Sequence, residues 1–223
     1  MNGATSILLF GDQAGDYSTT LDRVLRIKDN PLLTAFFDRS YAALRQEVAK
    51  QPRSVRNNTT GFTSIADLVA RYADSALPKS DALESALTYI SQIACFLGYQ
   101  GSGAIEYPSE TSTHIVGSCT GLLAAAVVSS SRSLVDLLPV AVEVVRIAFR
   151  IGSLVNEIRD QIAEPSSRSA SWSVVLPGLC ELDAVHIINE FHEINVRTNR
   201  LVRGSYLTRV VYPIVKQNIH QCY

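Results

Sequence analysis

The sequence lacks the features that would place it in several large protein classes. Its 223 residues include only four cysteines, at positions 95, 119, 180 and 222, with no CxxC spacing. This usage favours free thiols over a disulfide scaffold, and the four histidines have no ligand spacing that would indicate a metal. The net charge is −1, so no basic surplus indicates a nucleic-acid partner.

The start of the sequence also lacks a long apolar run. The first apolar run, Ile7 to Phe10, has no basic stretch before it, and it is too short for a signal-peptide core or a membrane span. We therefore predict a cytoplasmic protein without a membrane partner. Hydrophobic residues still make up 47% of the chain, which is enough to bury a substantial core.

Short β-branched runs alternate with longer amphipathic patterns along the chain, which predicts an α/β fold with a mainly parallel sheet. Strands are expected at Ser6 to Phe10, His114 to Val116 and Ser173 to Leu176. Seven helices are expected. Three are recognised by their starts, at a Thr19 cap, at Pro31 after Asn30 and at a Ser64 cap. The other four are expected from Ser80 to about Tyr99, from the end of the second strand to about Ser130, from Ser133 toward Arg159, and from Leu182 to Glu193.

The stretch Gly117-Ser118-Cys119-Thr120-Gly121 carries the strongest chemical signal. It places a thiol between two glycines where a strand should run into a helix, the pattern of a nucleophile elbow. The positive end of the following helix would stabilise the thiolate and offer an N–H donor to an oxyanion. From these five residues alone, a buried cysteine in a glycine turn fits equally well.

Three stretches together resemble the starter-unit acyl-carrier-protein transacylase domain of fungal non-reducing polyketide synthases, the naphthopyrone and conidial-pigment type most closely. They are Leu9-Phe10-Gly11-Asp12-Gln13, the elbow around Cys119, and Trp172 to Glu193 with its Leu176-Pro177-Gly178. The resemblance covers about residues 5 to 195, in the order and spacing of the family.

This resemblance implies an acyltransferase with an α/β-hydrolase-like core at residues 5–165 and part of a ferredoxin-like subdomain at residues 166–195. Cys119 would attack an acyl-CoA thioester and pass the acyl group to the phosphopantetheine thiol of an acyl-carrier protein. Backbone N–H groups of Gln13 and Thr120 would form the oxyanion hole. Acyl-CoA and phosphopantetheine enter as substrates, and no bound cofactor is implied.

The family pattern is not complete in this sequence. Its general-base histidine lies beyond the small subdomain, and no segment here matches that region, so reduced activity is expected. His114, His186, His192 and His220 are poor substitutes. The tail at residues 196–223 has five basic and no acidic residues and no recognised resemblance. Its Tyr206 to Val215 run could pair beside Ser173 to Leu176 as an edge strand.

The acyl group and the function class both leave alternatives open. Malonyl-selective relatives bind the substrate carboxylate with an arginine, and none of Arg132, Arg146 and Arg150 can be assigned to that position. A short neutral acyl group such as acetyl is therefore favoured over malonyl. The three arginines are at least as well explained as surface charges. The alternative to an enzyme is a non-catalytic fragment that docks with the synthase or its carrier protein. A serine-hydrolase-like esterase is the third hypothesis, and the cysteine at the elbow disfavours it.

Overall fold

The computed structural model contains a small parallel sheet. Strand β1, Ser6–Phe10, pairs in parallel with β2, Thr113–Gly117, in a register that runs from Ser6 opposite Thr113 to Phe10 opposite Gly117. On the other edge of β1, the short strand β3, His220–Gln221, pairs in parallel with Leu8 and Leu9. The strand order is therefore β2-β1-β3. Both strands predicted in this region are confirmed, as is a parallel α/β arrangement.

Structure is described for residues 6–11, 17–53, 56, 61–74, 80–100, 107–109, 112–162, 182–183, 185–186, 189–190 and 220–221. The chain divides into two compact units, residues 1–169 with 219–223, and residues 170–218. The described residues of the second unit are helical, whereas the predicted strand at Ser173 to Leu176 and its pairing with Tyr206 to Val215 lie outside the described residues. The predicted domain limits remain predictions.

The described part of the first unit also contains six helices. They are α1 Tyr17–Leu25, α2 Pro31–Lys50, α3 Ile65–Ala73, α4 Asp81–Gln100, α5 Gly121–Ser130 and α6 Leu134–Ile162. Of these, α5 packs against both β1 and β2. The predicted helices from Pro31 to Arg159 are all present, with ends close to those expected. None of the helices in this described part is both long enough and apolar enough to cross a membrane.

Capping side chains explain where two of these helices begin. The Asn30 side chain accepts a hydrogen bond from the Leu33 N–H at 3.0 Å and donates one to the Leu97 carbonyl at 3.1 Å, which ties the start of α2 to the end of α4. Ser64 accepts from the Asp67 N–H at 3.0 Å at the start of α3. These hydrogen bonds confirm both predicted helix starts. In each, the side-chain oxygen accepts from a backbone amide that the helix itself leaves unpaired.

The predicted Thr19 cap is wrong. Helix α1 already begins at Tyr17, so Thr19 lies inside its first turn. Tyr17 packs against the hydrophobic core, and this contact extends the helix beyond the point where local sequence alone would start it.

Helix α4 forms the middle of the core. Almost every side chain from Ala82 to Leu97 is buried, as its apolar circumference predicted, and the helix packs against α1, α2, α5 and α6. The Phe96 ring contacts Phe10 on β1 and Tyr107, with ring centroids 6.3 and 5.9 Å apart. Each large apolar side chain buried in this way stabilises the fold by about 1.5–3 kcal/mol. The end of β1 is thus held rigidly against the core.

Candidate active site

The candidate site is the turn between β2 and α5. The strand ends at Gly117, residues Ser118 to Thr120 form the turn, and α5 begins at Gly121. Cys119 has a φ of 52° and is the only non-glycine residue with positive φ in the described parts of the chain. An L-residue in this left-handed conformation is strained by about 1–2 kcal/mol. The side chain of Cys119 is exposed, so the alternative of a buried cysteine in a glycine turn is wrong.

The glycines on either side of Cys119 are required by close backbone contacts. A Cβ atom on Gly117 would lie 2.6 Å from the Gly121 carbonyl oxygen, and one on Gly121 would lie 2.3 Å from the Phe10 carbonyl oxygen and 2.4 Å from that of Gly11. Any side chain at either position would therefore push strand and helix apart. The two glycines hold the start of α5 directly against the end of β1, as a nucleophile elbow requires.

Backbone hydrogen bonds fix the turn in this shape. The Ser118 N–H donates to the Phe10 carbonyl at 2.9 Å, and the N–H groups of Gly121 and Leu122 donate to Ser118 and Cys119 at 2.8 and 3.1 Å. Within the described residues, the Thr120 N–H has no hydrogen-bond acceptor. An amide donor directly after the cysteine is therefore available to an outside acceptor, at the positive end of the α5 dipole.

Two buried polar side chains lie next to this turn. The Thr120 hydroxyl oxygen is buried and has no hydrogen-bond partner among the described residues. Gln92 on α4 is also buried, and its Nε2 donates to the Gly11 carbonyl at 2.6 Å, while its Oε1 has no partner in the described part of the chain. Gln92 thus holds Gly11, the residue that follows β1, in place. No local pattern in the sequence singled it out, because its contact lies 81 residues away.

Gln13, the other predicted oxyanion-hole residue, lies outside the described residues, so its role remains a prediction. The structure does show that Gly11, two residues before it, lies against Gly121. The chain therefore leaves β1 at Gly11 beside the elbow.

His114 lies too far back along β2 to reach Cys119. His114 is exposed on β2 opposite Ile7, three residues before the end of the strand, which corresponds to about 10 Å along it. That exceeds the hydrogen-bond reach that a general base needs. His186 is exposed in the second unit, and the side chains of His192 and His220 are not described. Within the described residues no cluster of His, Cys, Asp and Glu could hold a metal ion.

Two of the three candidate arginines are held elsewhere, by Glu47 on α2. Arg150 donates to both carboxylate oxygens of Glu47, at 2.8 and 2.9 Å, and an Arg146 nitrogen lies 3.6 Å from the same carboxylate. The Arg150 hydrogen bonds, with help from Lys50, lower the pKa of the buried Glu47 carboxyl to about 2. Both arginines therefore join α2 to α6, and Arg150 is at the same time a surface charge, with 58% of its side chain exposed against 19% for Arg146. Arg132 is exposed between α5 and α6.

Comparison with known families gives a match over most of the chain. The sequence profile of the family described as starter unit:ACP transacylase in aflatoxin biosynthesis matches residues 8–206. The match includes both strands of the candidate site and the elbow, and it extends beyond residue 195, where the recognised resemblance ended.

Curated relatives are fungal non-reducing polyketide synthases. The chain is 46% identical over 191 residues to a non-reducing polyketide synthase of Byssochlamys spectabilis. It is 42% identical over 195 residues to a conidial yellow pigment biosynthesis polyketide synthase of Penicillium expansum, and 42% identical over 190 residues to one of Emericella nidulans. These matches cover 85–87% of the chain but 9% of each relative.

Proposed function

Because the chain belongs to the family of starter-unit acyl-carrier-protein transacylases of polyketide biosynthesis, we propose that it accepts a starter acyl group on Cys119 and transfers it to an acyl-carrier protein. The observation that carries this proposal is the exposed thiol of Cys119, held at a φ of 52° between a parallel strand and a helix N-terminus. The acyltransferase fold with its α/β-hydrolase-like core is part of the same proposal.

The first step forms an acyl-enzyme. The Cys119 thiolate attacks the carbonyl carbon of an acyl-CoA thioester, and the carbonyl electron pair moves onto oxygen. In this proposal the Thr120 N–H, which has no acceptor among the described residues, donates to that oxyanion together with the N–H of Gln13. Collapse of the intermediate expels the CoA thiolate, which takes up a proton, and leaves the acyl group on the Cys119 sulfur.

The second step reverses this chemistry with a different thiol. The phosphopantetheine thiol of the carrier protein loses its proton and attacks the Cys119 thioester, and the cysteine leaves as thiolate. A general base speeds such proton transfers by about 10²–10⁴-fold. Because His114, three residues before the end of β2, is too far from Cys119 to act as that base, we expect formation and turnover of the acyl-enzyme to be slow in this chain.

A neutral acyl group fits the described charges better than a carboxylated one. Arg146 and Arg150 already contact the Glu47 carboxylate between α2 and α6, which makes each of them a poorer ligand for a malonyl carboxylate. Acetyl-CoA should therefore label Cys119 faster than malonyl-CoA does. Equal or faster labelling by malonyl-CoA would contradict this part of the proposal.

Intact-protein mass spectrometry after incubation with acetyl-CoA and longer acyl-CoAs tests the assignment. We expect one acyl adduct on the wild-type chain, its loss in Cys119→Ala, and its retention in Cys95→Ala, which removes the buried thiol of α4. Circular dichroism establishes that each variant is folded. A folded wild-type chain that forms no adduct on Cys119 with any acyl-CoA would overturn the proposal and favour a non-catalytic docking role within a synthase.

A further inference from the structure

The outer face of α6 carries a row of exposed aliphatic side chains. Ile147, Ile151, Leu154 and Ile158 are 44%, 43%, 56% and 44% exposed. They follow one another at intervals of four, three and four residues, the spacing of a coiled-coil seam. We call these four residues the outer row.

The core is packed without the side chains of the outer row. On the opposite side of α6, Val145, Ala148 and Phe149 are fully buried, so the helix is already anchored. An amphipathic surface helix normally places polar residues on its outer side. Together with the half-exposed Val155 beside it, the row presents on the order of 400 Å² of apolar surface, large for a monomer.

Charged residues along the outer row fit a second copy of the same helix. Arg150 and Glu157 are exposed along one side of the row, seven residues apart. An antiparallel pair that places Ile151 against Leu154 of the other copy also places Ile147 against Ile158, by the heptad spacing. In that register Arg150 of each copy meets Glu157 of the other.

The same charges disfavour the neighbouring register. A shift by one heptad would place Glu143 against Glu157 and Arg150 against Arg150, and like charges in contact destabilise an interface. Arg150 binds Glu47 through Nε and Nη2, which leaves Nη1 for Glu157 of the second copy.

We propose that the outer row of α6 is a self-association surface, on which two copies of the chain pair antiparallel about a two-fold axis near residues 152 and 153. The interface is isologous, since the same residues contribute from both sides. With about half the area per partner of a standard stable complex, it should give a weak dimer, with a dissociation constant of about 10 μM. The pairing does not depend on the chemistry of Cys119.

Sedimentation velocity of the full chain from about 1 to 100 μM tests this surface. We expect a concentration-dependent monomer–dimer equilibrium in the wild type and monomers at all concentrations for Leu154→Glu, with Ile158→Lys as a second variant of the row. Val135→Glu is the matched control, because Val135 is 71% exposed on the same helix but outside the row. It should dimerise like the wild type.

The charge pattern gives a test of the register. Glu157→Arg should weaken the dimer about tenfold, a cost typical of a lost charge pair at an interface, whereas Glu143→Arg should leave it unchanged. A wild-type chain that stays monomeric at 100 μM overturns the proposal. So does a Leu154→Glu chain, folded by circular dichroism, that associates like the wild type.

Discussion

The contact between Gly121 and the end of β1 allows a sharp test of how the elbow is built. A Cβ atom at position 121 would lie 2.3 Å from the Phe10 carbonyl oxygen and 2.4 Å from that of Gly11. Ordinary van der Waals contact begins at 3.4 Å, so Gly121→Ala forces the two backbones apart by about 1 Å. Both contacts are to backbone oxygens, which cannot rotate away as a flexible side chain would.

The cost of Gly121→Ala can be assembled from its parts. Overpacking of this kind costs about 1–3 kcal/mol, and stretching the 2.9 Å hydrogen bond from the Ser118 N–H to the Phe10 carbonyl adds about 1 kcal/mol. Alanine also lowers the conformational entropy of the unfolded chain, which offsets about 0.4–1 kcal/mol of this loss in the free energy of unfolding. We therefore expect a net loss of about 2–3 kcal/mol in the free energy of unfolding.

Urea unfolding followed by far-ultraviolet circular dichroism measures this loss. The matched control is Gly11→Ala, because a Cβ atom on Gly11 has no neighbour within 4 Å among the residues that the structure describes. That variant should unfold within about 0.5 kcal/mol of the wild type. The close-contact reasoning is refuted if the two variants share the same midpoint and slope.

Three further tests, each by substitution, examine features described above. Cys119→Gly should be more stable than Cys119→Ala by about 1 kcal/mol in urea unfolding, because the φ of 52° penalises any Cβ atom; a more stable alanine variant would contradict the strain. Asn30→Ala removes both the α2 cap and the bond to Leu97 and should cost about 2 kcal/mol, against about 1 kcal/mol for Ser64→Ala at the more exposed α3 cap; equal losses would argue against the Leu97 link. Glu47→Gln should cost about 2 kcal/mol at pH 7, a figure reduced because Arg150 is partly exposed. Since the folded pKa of Glu47 is lowered from 4.5 to about 2, this contribution is complete above pH 4.5 and declines as the pH falls toward 2, so the gap between Glu47→Gln and the wild type should narrow between pH 6 and pH 3 in unfolding measurements.

The sequence predicted the elbow because all of its signals are local. A β-branched run ends at Gly117, an apolar helical pattern begins at Gly121, and the nucleophile candidate lies between them. The strand at Ser6 to Phe10 and the capped helices at Asn30 and Ser64 were predicted for the same reason, since strand propensity and capping act over a few residues.

Contacts between distant residues could not be predicted in this way. The sequence showed Arg146 and Arg150 only as charges on a helix, and nothing in it indicated that Glu47, 103 residues before Arg150, would bind them. Gln92 was likewise missed as the donor to Gly11. In both cases the packing of the helices determines which residues meet, and a local sequence pattern does not encode that packing.

The parallel pairing of β1 with β2 has a consequence for the order of folding. Residues 6 and 113, and then 10 and 117, meet across more than a hundred intervening positions, a loop whose closure is entropically expensive. The bend that orients the thiol therefore cannot form as an autonomous hairpin, and it should appear late, only once both strands have been synthesised and docked. The Ser118 N–H donates to the Phe10 carbonyl between the two strands. Its hydrogen should accordingly exchange with solvent only when the whole first unit opens.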